Sequence, residues 1–273
     1  MSTVEKAVGF GPGSALAGVW VEPQAAVARA NAPTFLIWNT GINHHVGPWR
    51  FNVELTRQLA ARGFSSLRFD ASGLGDSDSR SDVATEQDRW LADLRDAMAV
   101  AEKRRGPGGY VLLGFCSSTD HAHHVALTDE RVKGVVYVEG FAYRSRAFWQ
   151  HYPKRFLDTH RWERVMKRNL KKLSGEPVPS HGPSMFNREY PPPARYRDDL
   201  KKLLDRGVKI QITFSGGDTD FNHVEQFDDM LGDTTIRPRI DLAFYPEADH
   251  TFFRVKERRV LVEHLTEWMS RTF

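Results

Sequence analysis

Short runs rich in Val, Ile, Leu and Phe alternate along the chain with longer stretches whose apolar positions recur at helical spacing, the pattern of βα units around a mainly parallel sheet. Eight runs read as strands: Lys6–Phe10, Leu16–Val21, Thr34–Trp38, Ser65–Phe69, Tyr110–Leu113, Val132–Val138, Lys209–Phe214 and Ile240–Tyr245. Gly11-Pro12-Gly13-Ser14 between the first two reads as a hairpin turn, so the sheet is expected to begin antiparallel. Helices are expected over Trp49–Arg62, Thr85–Arg105, Ser117–Thr128, Phe221–Leu231 and Lys256–Arg271. Thr85 followed three positions later by Asp88 suits a capped helix start, and Gly63 stands where a C-terminal glycine belongs. The fold class is α/β.

The alternation fails between Phe141 and about Arg206. Phe148, Trp149, Tyr152, Phe156, Trp162 and Met166 precede Pro177, Pro179, Pro183 and the run Pro191-Pro192-Pro193, which reads as two helices and then an irregular stretch. This segment, 141–206, is expected to be a lid inserted into a core formed by 1–140 and 207–273. It is strongly basic through Arg144, Arg146, Lys154, Arg155, Arg161, Arg164, Lys167, Arg168, Lys171 and Lys172. A solvated helix face explains most such runs; docking of an acidic carrier protein or an anionic membrane surface is the alternative.

Bulk properties narrow the setting. With 273 residues, 40% of them apolar, the chain can bury the core of one large domain. A single cysteine excludes an internal disulfide and no charged-then-apolar leader pattern opens the chain, so a reducing cytoplasm is expected. No apolar run approaches the roughly 18–20 residues of a membrane span. A net charge of +3 is too small to imply nucleic acid without a recognition motif, and none is found.

The candidate chemistry centres on Val111-Leu112-Leu113-Gly114-Phe115-Cys116-Ser117-Ser118, where an apolar run ends in Gly-x-Cys-x-Ser around the only cysteine. A lone cysteine after a strand is most often an inert buried hydrophobe. The flanking small residues, however, resemble the nucleophile elbow of the α/β-hydrolases, whose attacking residue occupies a strained strand-to-helix turn. A thiolate is a strong nucleophile once a helix N-terminus and an imidazole favour it, which makes Cys116 the candidate nucleophile. That resemblance implies the chain order nucleophile, acid, histidine. Of the eleven histidines, His250 follows the last candidate strand and precedes the final helix. Asp218, in Ser215-Gly216-Gly217-Asp218, is preferred as the acid, with Asp220 second and Glu139 third. Oxyanion donors are expected from the amides of Ser117 and Ile42, with Gly41 allowing close approach and His44 and His45 as further pocket candidates. His121 and His124 lie one helical turn apart without acidic or cysteine ligands at zinc spacing, so neither a metal nor a cofactor is expected.

Arg68-Phe69-Asp70-Ala71-Ser72-Gly73-Leu74-Gly75-Asp76-Ser77 is similar to the D-x-x-G-x-G-x-S loop of the same superfamily. More narrowly, His45-Val46-Gly47-Pro48-Trp49-Arg50, the cysteine elbow and Phe148-Trp149-Gln150-His151-Tyr152 with Trp162 and Leu173-Ser174-Gly175 resemble the bacterial exosortase-system-associated hydrolases. The resemblance implies an α/β-hydrolase fold: a mainly parallel eight-stranded sheet with helices on both faces and a helical lid insertion. It also implies a cysteine-dependent esterase, thioesterase, acyltransferase or cyclase working through an acyl-enzyme on a small-molecule acyl substrate, free or held on a carrier protein. The competing expectation is a non-catalytic ligand-binding protein on the same fold.

Overall fold

The computed structural model describes residues 3–83, 85–152 and 190–273. Eight strands form one sheet: β1 (Val4–Phe10), β2 (Leu16–Glu22), β3 (Thr34–Ile37), β4 (Ser66–Phe69), β5 (Tyr110–Phe115), β6 (Val132–Val138), β7 (Lys209–Ser215) and β8 (Asp241–Tyr245). Their order is β1-β2-β4-β3-β5-β6-β7-β8. β1 pairs antiparallel with β2, and β2 antiparallel with β4; every later pairing is parallel. The described helices are α1 (Phe51–Ala61), α2 (Glu86–Arg105), α3 (Ser118–Thr128), α4 (Arg146–His151), α5 (Pro193–Asp205), α6 (Gln226–Leu231) and α7 (Val255–Thr272).

Strand periodicity divides the core in two. Leu36, Leu112, Val135 and Tyr137 face a layer that includes Leu94 of α2, Ala122 of α3 and Leu200 of α5. Phe35, Ile37, Val111, Leu113, Phe115, Val136 and Val138 face the opposite layer with Phe51 and Leu55 of α1 and Leu261 and Leu265 of α7. Burying both faces is what near-continuous apolar parallel strands require. Phe115, the last residue of β5, thereby lies in the α1/α7 layer, with ring centroids 5.7 Å from Phe51 and 6.5 Å from Phe252.

Three differences from the expected elements have a visible cause. The first helix starts at Phe51 because Trp49 and Arg50 both adopt positive φ, 52° and 67°. The helix expected from Phe221 starts at Gln226, because the Asp218 carboxylate accepts from the Asp220 and Phe221 N–H groups and folds this stretch into a turn. The proline run expected to lie in an irregular stretch opens α5: Pro193 occupies the first turn, where a missing N–H costs nothing. Tyr196, Leu200 and Leu203 of α5 are buried in the core, so the end of the expected 141–206 insertion is a core helix. Its central part, 153–189, with most of the basic run, lies outside the described residues.

Candidate active site

β5 delivers Cys116 to the top of the sheet. Cys116 has φ 52°, left-handed backbone that a residue with a side chain rarely adopts. The turn is tight: a Cβ on Gly114 would lie 2.4 Å from the Thr119 Cα, so only glycine fits. On the other side Ser118, buried, replaces the second glycine and folds its hydroxyl back, accepting from the Phe115 N–H at 2.7 Å and donating to the Phe115 carbonyl at 2.9 Å. The Cys116 N–H donates to the Val138 carbonyl at 2.8 Å, pinning the elbow to β6. Cys116 as a residue is partly exposed.

Cys116 is hydrogen-bonded to His250 through their side chains. The Nδ1 of His250 is 2.9 Å from Oε2 of Glu139, which leaves the other ring nitrogen for the sulfur. Glu139, with φ 54°, follows β6 directly, and its side chain is fully buried. Burial drives the Glu139 carboxyl above the usual carboxylate range, against the pull of His250. Burial also works against charge on the His250 ring, but the hydrogen bonds to Cys116 and Glu139 outweigh it and lift the imidazole to about 10. Asp218 lies close by, one of its oxygens grouped within 4.8 Å of Glu139 and His250. Its Oδ1 accepts from the Asp220 and Phe221 N–H groups at 2.7 and 3.1 Å. Asp220 is at the surface, 2.8 Å from the Arg144 Nε. The acid hydrogen-bonded to the histidine is therefore Glu139, at the end of β6, rather than the preferred Asp218 after β7. Both acids satisfy the chain order, so order could not separate them.

The two glycines before Asp218 permit a close approach of two loops. A Cβ on Gly217 would sit 2.2 Å from the His250 N, and one on Gly216 would sit 1.9 Å from the Pro246 carbonyl. They let the β7 loop lie directly against the loop that carries His250.

The candidate oxyanion loop follows β3. Its Gly41 N–H donates to Ser117 Oγ at 3.0 Å, which brings the Ile42 region beside the residue after Cys116. Asp70, fully buried, holds this loop from below: Oδ1 accepts from Asn39 Nδ2 at 2.7 Å and from the His45 N–H at 2.6 Å. Its Oδ2 meets His45 Nδ1 at 2.7 Å and accepts from the Asp76 N–H at 3.1 Å. His44 Nε2 lies 2.9 Å from Asp76 and 3.2 Å from Asp70. His44 and His45 thus belong to a network that braces the loop. Their donors, with Asp70 and Asp76, form a set that could hold a cation, but its members already bond one another.

No protein-family model and no curated protein matches the chain. Solved structures do. An α/β serine hydrolase from Xanthomonas campestris, described as without a lid, superposes with a TM-score of 0.56 at 15% identity over 97% of this chain and 94% of its own. The esterase domain of a Rhodothermus marinus protein gives 0.58 at 16% identity, covering 99% of both chains. A Pyrococcus furiosus esterase gives 0.59 at 13% identity over 98% and 91%. The fold is that of the α/β hydrolases.

Within the α/β-hydrolase fold, the role of Asp70 and Asn39 was the part that sequence reasoning missed. The signal was Gly75, where a Cβ would strike the Asp70 carboxylate at 2.3 Å. Asn39 completes the clamp, its Oδ1 accepting from the Ala71 N–H at 2.6 Å. Asp249 acts similarly beside His250, accepting from the Thr251 and Phe253 N–H groups at 2.8 and 3.0 Å.

Proposed function

We propose that the protein is a cysteine-dependent acyl-transferring hydrolase acting on esters or thioesters. The observation that carries this reading is the sulfur of Cys116 on a left-handed elbow, hydrogen-bonded to an imidazole that a buried carboxylate orients. Cys116 Sγ attacks the acyl carbonyl carbon, and His250 holds the thiol proton and passes it to the departing alcohol or thiol. Glu139 fixes the tautomer and supports the imidazolium, with Asp218 as a neighbouring carboxylate. The Ser117 and Ile42 amides receive the charge that develops on the carbonyl oxygen. The product is an acyl-thioester of Cys116, which water, an alcohol or an amine then cleaves. Structures of the same fold named as serine hydrolase and esterase support carbonyl chemistry here, with sulfur in place of oxygen.

Intact-mass spectrometry with a panel of activated esters and thioesters tests it. One acyl group should add to the parent protein, none to Cys116→Ala, and His250→Ala should acylate at least about a hundredfold more slowly. Acylation of Cys116→Ala at the parent rate, or of no protein by any member of the panel, overturns the reading.

A further inference from the structure

Two loops meet at the mouth of the candidate site, and each ends in a large apolar side chain turned to solvent. Ile42, Trp49 and Phe253 are 64%, 54% and 54% exposed. Single exposed hydrophobes are ordinary, but Trp49 and Phe253 stand together beside the loop that carries His250. Ile42 follows Gly41, whose N–H donates to Ser117 beside the sulfur. Trp49 and Phe253 stand edge-to-face with ring centroids 5.1 Å apart. The Trp49 indole N–H donates to Thr251 Oγ1 at 3.1 Å, and Thr251 is the residue after His250.

The outward pose of the indole is built, not incidental. Trp49 and Arg50 take successive positive φ values of 52° and 67°. Such backbone costs of the order of a few kcal/mol and persists only where the surroundings impose it. Those surroundings are visible: Asn52 Nδ2 donates to the His45 carbonyl at 3.1 Å, and His45 is held by buried Asp70. A Cβ on Gly47 would collide with Asn52 at 2.6 Å, so the loop is compact at its base and carries Trp49 at its tip. On the opposite side, the Asp249 carboxylate fixes the Phe253 backbone.

We propose that Trp49 and Phe253 form the acyl-recognition wall, so that the substrate class is esters or thioesters of medium-chain or aromatic acids rather than of acetate. This rests on the cysteine reading above. The rings supply apolar area beside the loop that carries His250, and the tail of an acyl group bound at Cys116 is assigned to them. Trp49 and Phe253 are specificity residues; neither donates or accepts a proton in the reaction.

The test is the rate of Cys116 acylation by p-nitrophenyl esters from acetyl to octanoyl, followed by nitrophenolate release and by mass. Each methylene buried against the rings contributes about a three- to fourfold factor, so the parent should accelerate roughly tenfold or more across the series. Trp49→Ala and Phe253→Ala should flatten the slope, with a loss that grows with chain length and is smallest for the acetyl ester; Trp49→Phe, which keeps a ring, should restore most of the slope. Thr251→Val, which removes the indole's acceptor and the hydroxyl's bond to Asp249 Oδ1 at 2.7 Å but leaves both rings, should shift the whole series by a common factor and keep the slope. A flat series in a parent that is acylated by the acetyl ester overturns this inference and leaves the cysteine reading standing, whereas no acylation by any ester overturns both. Equal flattening by Thr251→Val makes Trp49 a support of the histidine loop and overturns it too. So does an acylation rate per molecule that falls with protein concentration, which assigns the aromatic pair to self-association.

Discussion

Replacing Glu139 with glutamine removes one charge and leaves the side-chain shape in place. At 2.9 Å from His250 Nδ1, two unit charges would interact by about 1.4 kcal/mol at the dielectric of water and by about 6 kcal/mol at an effective value of 20. The carboxylate is fully buried but 41% of the histidine side chain is open to solvent, so the lower part of that range applies. About 1.5–3 kcal/mol, the usual worth of a hydrogen bond to a charged group, is the expected loss. At about 1.4 kcal/mol per unit, the imidazolium form of His250 loses one to two pKa units, and the thiolate it supports becomes harder to form by a similar amount. The assay is the pH dependence of iodoacetamide alkylation of Cys116. In the parent, the His250 charge persists through neutrality, so the midpoint should lie below the ordinary thiol value of about 8.5. Glu139→Gln should move it upward by roughly one unit or more, and should cut acylation about a hundredfold by admitting the wrong tautomer. Asp218→Asn should move the midpoint by less than about 0.3 units, since an amide oxygen can still accept from the Asp220 and Phe221 N–H groups. The reverse ranking, with circular dichroism showing both variants folded, would refute the assignment of Glu139 over Asp218.

Gly114→Ala drives a Cβ into backbone of α3 rather than into a flexible side chain, so it should cost about 2–3 kcal/mol or more in urea unfolding and abolish alkylation at neutral pH. Ser118→Ala strips the hydroxyl that bonds both polar groups of Phe115, and should lower stability by about 1–3 kcal/mol while acylation slows. For His250 the folded value of about 10 lies above the ordinary 6.5, so its contribution to stability is complete below pH 6.5 and is lost as pH rises through about 10. The gap in melting temperature between the parent and His250→Gln should therefore close as pH rises from about 7 toward 10; a gap that widens over that range contradicts the ion pair.

The presence of all eight strands and the antiparallel start were legible in local pattern, and the elbow in its resemblance to the α/β-hydrolases. A two-sided parallel strand must be apolar throughout, and a strained turn admits only small neighbours at Gly114 and Ser118. Contacts between residues distant in the chain could not be read this way. Asp218 and Glu139 both precede His250 in sequence, and only the parallel register of β6 against β7, with Gly217 pressed onto the His250 backbone, decides which carboxylate the ring meets. The same holds for Asp70, whose meaning lies in the amides it gathers from a loop some thirty positions earlier. It holds also for α5, which the proline run disguised and the core claimed through Tyr196 and Leu200. Periodicity records which face of an element is buried; the tertiary structure chooses what that face is buried against, because packing and hydrogen bonding act across space and leave no fixed spacing in the chain.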